Sequence, residues 1–232
     1  MRLARSVAVL VVSTLVLAGC FTGKRPTLAA PTAPVTDAAV AAVLTRLQMP
    51  LTSPFTATYS ILTKLTAGGA PAPTTAATVA QTDSNTRSVT IGTIRFLQQS
   101  APQTCDLTGA RPCEPGLLDE RTSNLIVGHD FWSVSPASKL AQDATTTIAA
   151  GIPSTRQVAG QTATCAQLRF AAGSKTYCAV DGLLAAQDTP DLRIDLLSEV
   201  PSADPGLFTN IASATTLPAA TGAASSTTVV GG

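Results

Sequence analysis

Histidine, tryptophan and charge are all scarce in this chain of 232 residues. His129 is its one histidine, Trp132 its one tryptophan, and charged side chains make up 12%. No Cys-x-x-Cys pair is present, and a lone histidine cannot complete a zinc set, so no metal is expected. Glycine motifs that cradle phosphate are missing, and no cofactor is expected. A serine in a Gly-x-Ser-x-Gly turn is missing as well, which removes the commonest hydrolase signature. The formal net charge is +1, and it falls to −1 without Arg2 and Arg5. Nucleic-acid binding needs a basic patch, so that class is set aside. No apolar run reaches the roughly 20 residues of a membrane-spanning helix. Aromatic residues are only 4% of the chain. A core of Ala, Val, Leu and Ile with so few rings either packs tightly or leaves a channel, and composition leaves both open.

What is present begins at the amino terminus. Arg2 and Arg5 precede an apolar stretch, Ser6 to Leu17, and small residues Ala18 and Gly19 follow. Charged, apolar and small in that order is the plan of a secretory leader, with an apolar core of about 12 residues. A signal peptide is therefore predicted over residues 1–19. Leu17-Ala18-Gly19-Cys20 resembles the bacterial lipobox. That resemblance implies that Cys20 is lipidated and becomes the first mature residue. One fatty chain holds a protein only marginally, while two or more hold it durably. The expected location is the extracytoplasmic face of the cell membrane, with the membrane itself a partner through the anchor. Residues 20–35, rich in Pro, Ala and Thr, read as an extended tether.

Beyond Cys20 the cysteines are Cys105, Cys113, Cys165 and Cys178. An exported chain with this even set predicts disulfides, with more than one connectivity open. Cys165 and Cys178 flank "AQLRFAAGSKTY". With Phe170 facing Lys175 around the turn, the two cysteines come nearly opposite on adjacent strands. Cys105 and Cys113 bracket the turn-rich "DLTGARP". Local pairing, Cys105 with Cys113 and Cys165 with Cys178, is the expectation.

The rest reads as one domain over residues 36–214, followed by a disordered tail over 215–232. A helix is predicted from a cap at Thr36, with Asp37 in its first turn and Pro50 ending it. Its stripe is Val40, Val43, Leu44 and Leu47. "FTATYSILTKL" alternates as a half-buried strand. "TTAATVAQT" and "TRSVTIG" are strands divided by Asp83-Ser84-Asn85, and "TIRFLQQ" is a fourth after a break at Gly92. "GLLDERTSNLIV" has helical character. Ser135-Pro136 reads as a cap and first helical position for "ASKLAQDATT". "STRQVAGQTATCAQLRF", "KTYCAVDGLLAAQ" and "DLRIDLLSEV" form a three-strand meander, with a turn at Asp188-Thr189-Pro190-Asp191. The predicted class is α+β: a curved antiparallel half-barrel of about seven strands, covered by two or three helices.

This order, behind a lipobox, resembles the lipoprotein-localisation factor fold (LolA/LolB-like) and its lipidated actinobacterial relatives of the LprG and LppX type. The resemblance rests on the helix at Asp37–Leu47, on "FTATYSI", and on "YCAVDGLLAAQDTPDLRIDLLSEV" with its Asp181-Gly182 turn. "ADPGLF", Ala203 to Phe208, resembles the family's short closing segment. Members shelter acyl chains between sheet and helices. The resemblance thus implies a non-catalytic protein that binds or transfers a lipid or lipoglycan. Phe55, Ala57, Tyr59, Ile61, Ile94 and Phe96 would line the cavity, together with the stripe of the first helix. The alternative is a cavity-free envelope module that docks a protein or a wall component.

Three other groups were weighed for chemistry. His129 beside Asp130 in "GHDFW" suggests half of a charge pair, but adjacent side chains diverge, and an exposed turn with Phe131 and Trp132 capping the core is the plainer reading. Asp119 and Glu120 read as a solvated helix face. Arg87, Arg95, Arg169 and Arg193 fall on strands and suit either lipid headgroups or a wet sheet face. No catalytic residue is expected.

Overall fold

The computed structural model describes residues 37–64 and 73–209. The leader, Cys20, the tether and the carboxy-terminal tail lie outside the described residues.

Helix α1, Ala38–Leu47, buries Ala39, Val40, Val43, Leu44 and Leu47, the expected stripe. The cap is Asp37 rather than Thr36. Its carboxylate accepts from the backbone N–H of Ala39 at 2.9 Å and of Val40 at 3.0 Å, satisfying donors that have no partner inside the helix. Helix α2, Val134–Ala144, starts earlier than Ser135-Pro136 implied. Pro136 lies in the first turn, where a missing N–H costs nothing. "GLLDERTSNLIV" forms only a 3-10 turn, Asp119–Leu125, which stops at Ile126 in a left-handed conformation.

All strands join one antiparallel sheet. They are β1 Phe55–Thr63, β2 Thr75–Asp83, β3 Thr86–Ile91, β4 Ile94–Gln98, β5 Gln103–Asp106, β6 Glu114–Pro115, β7 Ile152–Val158, β8 Gln161–Phe170, β9 Gly173–Val180, β10 Leu183–Asp188 and β11 Leu192–Val200. Their spatial order is β6-β5-β4-β3-β2-β1-β11-β10-β9-β8-β7. The chain runs outward from β1 to one edge, crosses through the 3-10 turn and α2, and returns from the far edge to the middle. The first strand therefore pairs with the last, Tyr59 opposite Leu196 and Ile61 opposite Ile194.

Among the described residues the sheet has eleven strands rather than the seven expected. Two extra strands arise where "STRQVAGQTATCAQLRF" and "KTYCAVDGLLAAQ" each fold into a hairpin, at Ala159-Gly160 and Asp181-Gly182. The other two, β5 and β6, flank the first cysteine loop. Phe170 pairs with Gly173, not Lys175, around a tighter turn, which sets Cys165 directly opposite Cys178. Both expected disulfides are present, Cys105–Cys113 and Cys165–Cys178.

The sheet is open but strongly curved. Neighbouring strands lie about 4.8 Å apart, so in a flat sheet β7 and β11 would be separated by roughly 19 Å. Yet Arg156 on β7 reaches Asp195 on β11 at 3.4 Å. Gln161 likewise donates to Glu199 at 2.5 Å. The β7–β11 half is rolled towards closure.

On one face α1 packs across β8, β9 and β10 and against α2. Phe131 and Trp132, just before α2, cover β1: Phe131 meets Tyr59 edge-on at 5.1 Å, and Trp132 meets Phe55 at 6.0 Å. The opposite face of β3 and β4 is sealed by the closing segment, a 3-10 turn at Pro205–Phe208. There Ser88 Oγ donates to the Leu207 carbonyl at 2.6 Å, and Arg95 donates to the Gly206 and Thr209 carbonyls at 3.4 and 3.2 Å.

Candidate functional site

The apolar positions expected to line a cavity are all in the packed core. Phe55, Ala57, Tyr59, Ile61 and Phe96 are 0–3% exposed and Ile94 is 9%. They share one apolar cluster with the α1 stripe, Phe131, Trp132 and Leu140. None of them lines the clefts described below. Tyr59 is singular among them: its hydroxyl is buried with no hydrogen-bond partner, and burial drives its ionisation far above the usual range.

The strand arginines divide. Arg87 and Arg95 do not face outward as headgroup readers. Arg87 lies 4.8 Å over the Trp132 ring and donates to Gln81 and Gln98. Arg95 is held by the closing segment and by Thr90 at 3.2 Å. Burial disfavours the charge on both. Arg169 and Arg193 are exposed.

Helix α2 is flanked by two clefts, one mainly polar and one mixed. The cleft at its N-terminal end, about 230 Å³, is walled by Arg87, Gln98, His129, Asp130 and Trp132. It contains the "GHDFW" segment, but with a different pairing from the one weighed in sequence. His129 joins Asp119, from the 3-10 turn, through Nδ1 at 2.9 Å, and its backbone N–H donates to the same oxygen at 2.7 Å. Asp119 is thus a loop clasp rather than a solvated helix face. Asp130 is held above the usual carboxylate range, chiefly by burial, with His129 opposing that shift. No hydroxyl or thiol is bonded to His129 among the described residues.

The second cleft, about 350 Å³, lies between the C-terminal half of α2 and the β9–β11 strands. Asp143 of α2 accepts from Lys175 Nζ and from the Tyr177 hydroxyl of β9, both at 2.7 Å. Burial first, and then this carboxylate, push the Tyr177 phenol well above its ordinary range. Thr189 Oγ1 donates to Asp191 at 2.6 Å, which holds that carboxyl below its usual range; more distant Lys139 and Lys175 add to the effect. Gln187, Lys139, Gln142 and Thr146 complete the lining. Sequence reading named Thr189 and Asp191 only as a turn and Lys175 only as a strand position, and none of these residues as a site, because they come from separate elements with no local spacing. The one available signal was Gln187, a polar residue closing the apolar run "LLAAQ". A broader depression, about 850 Å³, lies where the β2–β3 turn meets the segment between β4 and β5. These clefts can bind by hydrogen bonds and charge. Among the described residues no group of three or more side chains could hold a metal ion, and no helix is long and apolar enough to cross a membrane.

No family model matches the chain, and no curated protein matches it. Among solved structures it is similar to MucB in complex with MucA(peri), with a TM-score of 0.39, 11% identity and coverage of 72% of this chain and 57% of that one. It is also similar to MucB determined alone, with a TM-score of 0.36, 11% identity and coverage of 73% and 61%. The chain therefore spans less than two thirds of the MucB chains it matches.

Proposed function

We propose that this protein is a non-catalytic binding module of the cell envelope, exported and tethered to the membrane through lipid on Cys20, whose folded head docks a partner on its polar exterior. The observation that carries this reading is the filling of the apolar face. Phe55, Ala57, Tyr59, Ile61 and Phe96 sit at 0–3% exposure against Phe131, Trp132 and the helices. A carrier of acyl chains needs a continuous apolar void, and pockets for such ligands are lined by apolar and aromatic groups. The cleft at the C-terminal half of α2 is instead lined mainly by charged and amide side chains, and the one at its N-terminal end mixes such groups with Trp132 and Val134.

A second reading, a carrier of lipid or lipoglycan, draws on the Tyr59 hydroxyl. An orphan polar atom in a dry core is costly, and a ligand's polar group entering that core would pair it. Native mass spectrometry of the full chain, extracted gently from membranes, separates the two. The module reading expects a polypeptide that begins at an acylated Cys20 and carries no further lipid. A stoichiometric lipid adduct would replace it with the carrier. An unmodified Cys20 thiol, or a retained leader, would remove the tether from both.

A further inference from the structure

We infer that the cleft between α2 and the β9–β11 strands is a binding site for a small monocarboxylate, gripped by the Lys139 ammonium and the Gln187 side-chain amide. The inference rests on the reading of the chain as a binding module and names what one of its sites takes.

Most polar groups in this cleft are already engaged with one another. Asp143 is occupied by Lys175 and Tyr177, and Asp191 by Thr189. Two groups are not. Gln187 is 3% exposed, yet its amide makes no hydrogen bond among the described residues, and it lines the cleft. An amide carries two donors and an acceptor, and buried polar side chains are nearly always paired. The Gln187 amide is not a sealed orphan like the Tyr59 hydroxyl: it opens onto the cleft, where water or a ligand meets it. Lys139 also lines the cleft and, among the described residues, makes neither a hydrogen bond nor an ion pair at contact distance, though its charge reaches Asp191.

The unengaged set is therefore one cation and one amide, rich in donors, and its complement is an oxygen anion. Charge chooses among anions. Lys175 is paired with Asp143, and Lys139 faces Asp191 only at longer range. A dianion such as phosphate would face two carboxylates with a single free cation to meet it. A monocarboxylate matches Lys139 in charge and takes the Gln187 N–H in addition, a charge-assisted bond of the stronger kind. A volume of about 350 Å³ suits a single sugar acid or a capped amino acid.

The test is an NMR titration of the ¹⁵N-labelled full chain in detergent, with disulfides intact and ionic strength constant. Glucuronate, N-acetylalanine and inorganic phosphate are added separately, and the Gln187 side-chain NH₂ signals are followed. At least one carboxylate should shift them saturably, and phosphate should bind more weakly. Which carboxylate saturates tells a sugar acid from a peptide terminus. Lys139→Met should weaken binding roughly tenfold or more. Gln187→Leu should abolish it, read on the Thr189 backbone signal. If Gln187→Leu does not fold, Lys139→Met decides alone, since Lys139 is half-buried on a helix and bonded to nothing among the described residues. The site is overturned if neither carboxylate gives a saturable shift, if phosphate binds more tightly than both, or if Lys139→Met binds unchanged. None of these results touches the lipid measurement that decides between module and carrier.

Discussion

Asp37 does more than start a helix. Its carboxylate accepts three backbone N–H groups: Ala39 and Val40 within α1, and Gly151, just ahead of β7, at 2.6 Å. A Cβ at position 151 would lie 3.0 Å from Asp37 Oδ1, so a larger residue there would have to push the carboxylate back by a few tenths of an ångström. The bond from Gly151 is the largest cause holding the Asp37 carboxyl below its ordinary value of 3.8. A depressed folded pKa contributes stability that is complete above the unfolded pKa and is lost as pH falls through the folded value. Asp37→Ala should cost about 1–2 kcal/mol at neutral pH, the range for a lost cap. Asp37→Asn should keep the two bonds within α1 but lose the one from Gly151, since an amide has a single acceptor oxygen, and with the charge goes this carboxyl's share of the acid sensitivity below pH 4. Urea melts at pH 7 and pH 3 measure both effects. Tyr59 makes the opposite case. Its hydroxyl is buried and unpaired, so Tyr59→Phe should leave stability unchanged or raise it by about 1 kcal/mol. A clear loss of stability in that variant would mean that the hydroxyl has a partner in solution.

Among the elements, the Asp181-Gly182 turn between β9 and β10 ties the sheet to the end of α1. It was legible as a turn from its residues, and the structure shows why those residues are required. Gly182 has φ +76°, and a Cβ there would lie 2.5 Å from Leu51 Cγ. Its N–H donates to the Arg46 carbonyl at 2.8 Å, while Asp181 pairs with the Arg46 side chain. The turn therefore clamps the C-terminus of α1. Gly182→Ala should destabilise by roughly 1–3 kcal/mol from backbone strain alone, measurable by chemical denaturation. The α1 stripe was equally legible, because one buried face repeats at helical period. The turn at Ala159-Gly160 was not. Both its residues have positive φ, and alanine does not advertise that conformation. Nor were β5 and β6, which are too short to alternate and are held by Cys105–Cys113. The α2 cleft was illegible for a different reason: Lys139 and Gln187 belong to elements that meet only once the sheet has curled. The disulfides should behave as elements do. In the chain-entropy model, opening Cys105–Cys113 costs about 2.5 kcal/mol and opening Cys165–Cys178 about 2.9 kcal/mol. Hydrogen exchange after Cys105→Ser with Cys113→Ser should quicken at β5 and β6 while β8 and β9 keep their protection.

For the molecule as a whole, the decisive contact is β1 with β11. It makes the strands that run outward from β1 and those that return to it into one sheet, so neither set has an edge it can keep without the other. Trp132 stands where these parts meet. Its ring contacts Phe55 of β1 and Arg87 of β3, and its carbonyl accepts from the Leu184 N–H of β10 at 2.7 Å. Being the only tryptophan in the chain, it reports that junction without interference. If the two sets of strands are one cooperative unit, tryptophan fluorescence and far-ultraviolet circular dichroism should trace a single coincident urea transition. The dominance of long-range pairing, with β1 joined to a strand more than a hundred residues away, also places folding among the slower β-rich proteins, in milliseconds to seconds. Replacing Leu196, which lies opposite Tyr59 at 3% exposure, by Ala should shift both signals together by about 2–5 kcal/mol. Two separated transitions, or a fluorescence change that precedes loss of the sheet, would show that α2 and its clefts come away from a sheet that stands alone. The binding surface would then be a detachable cap rather than part of the folded core.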